Sequence, residues 1–298
     1  MDGFISRIQR YSTKDGPGIR STVFAVGCNL CCKWCSNPEL IQAGSKILYH
    51  VERCMRCGAC VALSHGAIRL GASGCIIDRE KCTNLEECAA ACFYDAYEHV
   101  GKVVSSEELA AALIRDKAFY DKSGGGVTFS GGEPALQAGF FLETGKLLKK
   151  ESVHVALDTA GSVPWESLAP LVETADLVLY DIKAFDTVLH EKYMGSGNRL
   201  VLENARRIAE MKKPTIVRMI LVPGVNDSEE ETVNRLSFIR ELGVLQLDIL
   251  KYHRLGAGKY RCLGRQEPMG DTPECTDEQA DRVLQKARSM GLAATIGG

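Results

Sequence analysis

The chain has 298 residues, 25% charged and 45% hydrophobic, and its 36 Lys and Arg nearly balance 38 Asp and Glu for a net charge of -2. That composition supports a sizeable core, argues against disorder, and offers no basic excess for nucleic acid or an anionic membrane. No apolar run reaches the roughly 18 to 20 residues that span a bilayer, and Met1-Asp-Gly-Phe-Ile-Ser-Arg7 has neither segment of a secretory leader, so a soluble, cytoplasmic protein is expected.

In chain order, a strand over 20–26 leads into a first cysteine group, Cys28-Asn29-Leu30-Cys31-Cys32-Lys33-Trp34-Cys35, which contains a C-x3-C-x2-C set at Cys28, Cys32 and Cys35. Eleven of the 13 cysteines lie between Cys28 and Cys92. A cytosol keeps thiols reduced, so this density predicts metal binding rather than disulfides.

Residues 48–101 hold seven of those cysteines with little helical periodicity. They are expected to form a small inserted domain between 1–47 and 102–298. Cys54-x2-Cys57-x2-Cys60 matches the first three positions of the ferredoxin run C-x2-C-x2-C-x3-C-P, whose fourth cysteine serves the other cluster. Ser64 stands at that fourth position. Cys82, Cys88 and Cys92 match the same run, with Leu85 at its second position. Crossed ligation predicts one complete set, Cys54, Cys57, Cys60 and Cys92, and a second set reduced to Cys82 and Cys88, for which Cys75 is the candidate third ligand. All-cysteine zinc sites also use C-x2-C pairs. Three consecutive cysteines at two-residue spacing favour iron–sulfur over zinc.

After residue 103 strands and helices alternate. Ser105 and Glu108 form a capping box before a helix. Strands follow over 127–129, 153–157, 177–182, 215–222 and 247–252, with a short last one over 293–296. Helices are expected over 140–148, 164–173, 200–211, 228–242 and 277–290. This rhythm predicts parallel βαβ units, hence an α/β fold: a partial (β/α)6 TIM-type barrel with the small ferredoxin-like domain inserted, and a doubly wound sheet as competitor.

Barrels gather their chemistry at the C-terminal ends of the strands. There stand Cys28, then Ser130-Gly131-Gly132-Glu133, Asp158-Thr159, Asp181 and Lys183, Arg218, and His253. Singly, Asp158 could cap a helix, Lys183 could be solvated and His253 could be structural. Arg218 inside an apolar strand resists such a reading, because an unpaired buried charge is expensive. Together they predict a site for a small, charged, amino-acid-like ligand. The glycines would let backbone approach it, Glu133 could pair its ammonium, and Arg218 with Lys183 could hold its carboxylate.

The Cys28, Cys32, Cys35 set and the Gly131-Gly132-Glu133-Pro134 run resemble the radical S-adenosylmethionine (SAM) superfamily. Tyr11-Ser-Thr-Lys-Asp-Gly-Pro-Gly-Ile-Arg20, Trp34-Cys-Ser-Asn-Pro-Glu39, Asp181-Ile182-Lys183 and Tyr252-His-Arg-Leu-Gly256 resemble the glycyl radical enzyme activating enzymes, over essentially the whole chain. The insert resembles that of the longer, multi-cluster activators. The resemblance implies a [4Fe–4S] cluster on three thiolates, its fourth iron open to SAM. One electron then cleaves SAM to methionine and a 5′-deoxyadenosyl radical, which takes a hydrogen atom from a backbone glycine of a partner enzyme. It further implies one or two auxiliary [4Fe–4S] clusters and an electron donor such as flavodoxin or ferredoxin.

By the same resemblance Gly131, Gly132 and Glu133 cradle the methionine end of SAM. Asp181, Ile182, Lys183, Arg218 and His253 complete the pocket, and Trp34 and Ser36 flank Cys35. Asp158, Thr159, Asp181 and the Leu179 carbonyl resemble a site for a monovalent cation. Asp15 faces the partner's glycine loop. Cys31, Cys262 and Cys275 are expected to be bystanders. Two other readings compete. A radical SAM enzyme acting on a peptide or small molecule, such as a sulfatase maturase, would usually carry a cysteine-rich C-terminal extension. An electron carrier would not need the converging strand-end set.

Overall fold

The computed structural model describes residues 1–297. The chain opens on an antiparallel pair, β1 (Asp2–Ser12) and β2 (Arg20–Ala25). β1 is absent from the sequence expectation, because Ser6, Arg7, Gln9 and Arg10 dilute its period-two pattern while Ile5 is fully buried.

Residues 46–100 then leave the main sheet. β3 (Lys46–Tyr49), α1 (Ala59–Leu63), β4 (Ile68–Leu70), β5 (Cys75–Ile77), α2 (Leu85–Ala90) and β6 (Tyr97–Val100) follow one another. β3 and β6 pair antiparallel across the neck of this segment, and β4 and β5 form a separate hairpin. Its core is its own: Ile47, Tyr49, Cys60, Ile68, Cys75, Cys88 and Tyr97 pack together.

β7 (Lys102–Ser105) returns to pair with β1. The capping box of Ser105 and Glu108 forms as expected and opens α3 (Ser106–Ile114). After it come α4 (Lys117–Ser123), β8 (Gly126–Gly131), α5 (Ala138–Lys150), β9 (Val155–Thr159), α6 (Trp165–Thr174), β10 (Leu177–Asp181), α7 (Thr187–Met194), α8 (Arg199–Glu210), β11 (Thr215–Leu221), α9 (Glu229–Leu242), β12 (Gln246–Lys251), α10 (Ala257–Cys262), α11 (Asp277–Ser289) and β13 (Ala294–Ile296).

The sheet runs β13-β12-β11-β10-β9-β8-β2-β1-β7, parallel from β2 to β13. Among the parallel strands β2 and β8 to β13 the order never reverses, so there is no switch point of the doubly wound kind. Its two edges, β7 and β13, stay apart in the pairing. The α/β partial barrel is therefore the architecture, with six parallel strands before the short terminal one.

Alternation within these strands decides which residues face inward. Ala156, Leu177, Leu179 and Ile216 form a small inner cluster. Val155, Leu157, Val178, Tyr180, Val217 and Met219 belong to the larger core. One pleat beyond the inner cluster stand Asp158, Asp181 and Arg218, with Asp181 opposite Arg218 and Asp158 opposite Leu179 in register. Parity thus aims three charged side chains into the barrel mouth. No helix is long and apolar enough to cross a membrane among the described residues.

Candidate active site

A cavity of about 760 Å³ lies at the C-terminal strand ends. Cys28, Cys32, Cys35, Trp34, Ser36, Gly131, Gly132, Asp158, Asp181, Lys183, Arg218 and His253 all line it. Glu133 and Ile182, expected beside them, do not.

The thiols are held by backbone. Gly27 and Cys28 N–H groups donate to the Leu40 and Ile41 carbonyls at 2.8 Å each. On the other side Cys31 and Lys33 donate to Met194 and Tyr193 at the end of α7, at 2.8 and 2.9 Å. Trp34 packs its ring 5.9 Å from that of Tyr193. Burial pushes the Cys28 and Cys32 thiols up to about 12 and raises Cys35 as well. Sulfurs so placed become thiolates only with a cation against them, the environment a metal centre supplies. Three thiols set around a cavity fit a polynuclear iron–sulfur cluster.

Gly131 and Gly132 make a cradle that only glycine can make. Gly131 has φ of +106°, and a Cβ on Gly132 would lie 2.1 Å from the Gly27 carbonyl oxygen. The turn is sewn to the first cysteine loop by Gly132 N–H to Ala25 O at 2.9 Å and Glu133 N–H to Gly27 O at 2.8 Å.

Glu133 needs a correction. Its carboxylate accepts from the Thr159 hydroxyl at 2.8 Å and from Ala135 and Ala160 N–H at 3.1 and 3.2 Å. Buried at 1% exposure, it braces the cradle against the end of β9 and has no face toward an ammonium. Burial pushes its pKa up to about 7. Ile182 is likewise a wall residue: its side chain is buried in the core and its N–H donates to the Arg218 carbonyl at 3.0 Å.

The charged residues form one chain. Ser130 Oγ donates to Asp158 at 2.5 Å, and Asp158 takes the Arg218 guanidinium. Arg218 Nε donates to Asp181 at 2.9 Å, and Lys183 Nζ donates to the other Asp181 oxygen at 2.9 Å. Burial works against Asp181, yet Arg218 and Lys183 hold its pKa down to about 2. Asp158 ends above the ordinary carboxylate range, because burial outweighs Arg218. The two cations that the sequence offered to a ligand carboxylate are thus already engaged by the chain's own aspartates. Thr159 lines the same cavity, and its hydroxyl donates to the Glu133 carboxylate at 2.8 Å.

Supporting residues escaped the sequence reading. Fully buried Arg235 donates to the Lys183 carbonyl at 3.0 Å, joined there by Asn226 Nδ2 at 3.0 Å. Glu231 accepts from Phe185 and Asp186 N–H at 2.7 and 3.0 Å. On a helix these look like a solvated face. Glu39, at 2% exposure, takes Lys259 at 2.7 Å and ties the segment after Cys35 to α10. A Cβ on Gly256 would sit 2.6 Å from the Cys35 carbonyl oxygen, so the segment after His253 is pressed on the same loop.

In the insert, Cys54, Cys57, Cys60, Cys75 and Cys92 line one small cavity. Cys75 Sγ lies 3.5 Å from Cys60 Sγ and 3.9 Å from Cys54 Sγ. It stands with the complete set, not as a third partner to Cys82 and Cys88. Those two share the Asn84 side-chain oxygen at 3.9 and 4.0 Å. The Ser64 hydroxyl is spent locally, donating to Val61 O at 2.9 Å and accepting from Ile68 N–H at 3.0 Å. Leu85 packs against the insert core.

The radical SAM superfamily profile matches residues 22–236. The chain is 39% identical over 277 residues to the isethionate sulfite-lyase activating enzyme of Nitratidesulfovibrio vulgaris, covering 90% of each chain. It is 35% identical over 302 residues to the trans-4-hydroxy-L-proline dehydratase activating enzyme of Clostridioides difficile, covering 100% of each. Among solved structures, a domain of a pyruvate-formate lyase-activating enzyme from Bacteroides vulgatus superposes with a TM-score of 0.50 at 30% identity, over 58% of this chain and 99% of that one. The chain belongs to the radical SAM superfamily and, within it, to the activating enzymes of glycyl radical enzymes.

Proposed function

We propose that the cavity at the strand ends is where this activating enzyme holds SAM and receives the glycine of its partner. The observation that carries the assignment is the meeting of three thiols, the Gly131-Gly132 cradle and the Asp158–Arg218–Asp181–Lys183 chain in one cavity. Activating enzymes of this family act on a partner glycyl radical enzyme, and the cluster with SAM supplies the 5′-deoxyadenosyl radical. Cys28, Cys32 and Cys35 would hold the cluster. Gly131 and Gly132 would offer backbone to the methionine end, with Glu133 as the brace beneath. Lys183 and Arg218 would turn toward its carboxylate. Trp34, Ser36 and His253 would close the remaining walls, and Asp15, which also lines the cavity, would face the partner's glycine loop. If Arg218 is drawn to SAM, Asp158 and Asp181 need another positive charge, which is the place for the monovalent cation.

We assign residues 48–101 to a ferredoxin-like domain with one auxiliary [4Fe–4S] cluster on the set of Cys54, Cys57, Cys60 and Cys92, with Cys75 beside it. Anaerobic reconstitution should give about eight irons per chain, and roughly twelve would show that Cys82 and Cys88 still support a further cluster. Replacing Cys82 and Cys88 by serine should leave the count unchanged. Replacing Cys54 and Cys60 should lower it to about four. The physiological electron donor would be flavodoxin or ferredoxin, and the setting the cytoplasm. The assignment is tested by electron paramagnetic resonance: with SAM, reductant and the right partner, a glycyl radical doublet should form on the partner.

A further inference from the structure

The thiol cavity of the insert has a buried hydroxyl that the rest of the fold does not use. Tyr97 lines that cavity beside Cys54, Cys57, Cys60, Cys75 and Cys92. The residue is 9% exposed, and its hydroxyl oxygen is buried with no hydrogen-bond partner among the described residues. A buried tyrosine hydroxyl ordinarily finds a partner, because an unpaired one keeps its full desolvation cost. The polar neighbours of this one are the Cys60 and Cys75 thiols and Tyr49.

Tyr97 and Tyr49 stand opposite each other in the β3–β6 pair, with ring centroids 5.1 Å apart. The two hydroxyls differ in what they meet. That of Tyr49 accepts the Cys75 N–H at 2.6 Å and so fixes the backbone of the β4–β5 hairpin. That of Tyr97 holds no backbone group among the described residues. For packing alone the position would favour phenylalanine, which fills the same space without an orphaned oxygen. Thiolates carrying the negative charge of an iron–sulfur cluster are acceptors of the missing kind, and donors to such sulfurs set the cluster's potential.

We infer that the Tyr97 hydroxyl donates to a thiolate of the auxiliary cluster, that of Cys60, and holds the cluster's reduction potential up. The inference rests on the auxiliary cluster assigned above. The sign follows from charge. Reduction adds one electron to the thiolate-held centre, so a donor aimed at its sulfur stabilises the reduced state more than the oxidised one.

Reductive titration followed by electron paramagnetic resonance tests this on the reconstituted full-length protein carrying Cys32→Ala, in which the auxiliary centre titrates alone. Adding Tyr97→Phe should keep the iron content, about four per chain. It should lower the equilibrium constant for one-electron reduction about tenfold, a shift of about 59 mV to more negative potential. After exchange into deuterium oxide, the reduced centre should show one exchangeable deuteron coupling fewer than with tyrosine. In the metal-free protein the same change should act in the opposite sense and raise the thermal unfolding midpoint, because it removes an unpaired buried hydroxyl. Unchanged potential and iron content with Tyr97→Phe would overturn the inference and leave the auxiliary cluster standing. Loss of the cluster from that variant would also overturn it, by making the phenol a structural support. A Cys32→Ala protein with Tyr97 intact that takes up no iron would overturn the cluster assignment, and the inference with it.

Discussion

Cys32→Ala should lose reductive SAM cleavage entirely while keeping the fold. Cys32 is 7% exposed and lines the same cavity as Cys28 and Cys35. Two thiols cannot replace three on a cluster that already leaves one iron open, so about four irons per chain should be lost with the activity. The loop itself is held by backbone bonds to α7 and to Leu40 and Ile41, none of which uses the sulfur. Thermal unfolding of the metal-free protein should therefore shift little. Cys31→Ala is the matched control. Cys31 is exposed and packs beside Gly195, so iron and 5′-deoxyadenosine production should both stay at the parental level. Cleavage by the Cys32 variant at more than a tenth of the parental rate would remove this thiol set from the mechanism.

Arg218→Met should be the most destabilising single change at the site. The guanidinium joins Asp158 to Asp181, and removing it leaves two buried carboxylates with Lys183 as their remaining cation. Breaking a buried pair in this way costs roughly 3–5 kcal/mol. The loss should depend on pH with a definite sign. Burial already holds the Asp158 pKa above its ordinary value, and without Arg218 it rises further. A carboxyl raised in the fold favours folding while protonated and opposes it once ionised. The destabilisation measured by urea unfolding should thus be largest near neutral pH and shrink as the solution is acidified toward pH 5. A penalty that stayed constant over that range would contradict the charge account. SAM affinity should fall as well, because Arg218 lines the cavity.

Much of this arrangement is legible before any coordinates. The strands β8 to β12 carry apolar runs long enough to read, and parity within them aims Asp158, Asp181 and Arg218 at the mouth. The cysteine spacing separates the three-thiol group from the insert. What the sequence leaves hidden is direction beyond the strand. Glu133 sits in the expected turn, yet its carboxylate finds three donors on the protein side, and only coordinates distinguish a brace from a ligand. Cys75 lies seven residues before Cys82 in the chain, but the β4–β5 hairpin folds it back onto Cys60. Arg235 carries no signal at all, since a buried arginine on an amphipathic helix reads like an exposed one. β1 fades for a related reason: its polar residues hide a strand that the hairpin with β2 nevertheless requires.

These residues share one purpose in the account, which is to place a radical beside a partner's backbone glycine. The most direct measurement is electron paramagnetic resonance of a glycyl radical enzyme after anaerobic incubation with the reconstituted protein, SAM and reductant. Candidate partners are lyases and dehydratases of the kinds that the relatives activate. A glycyl radical doublet should form on one of them, with one methionine and one 5′-deoxyadenosine released per radical formed. SAM cleavage without a radical on any such partner, or a doublet that persists with the Cys32→Ala protein, would contradict it.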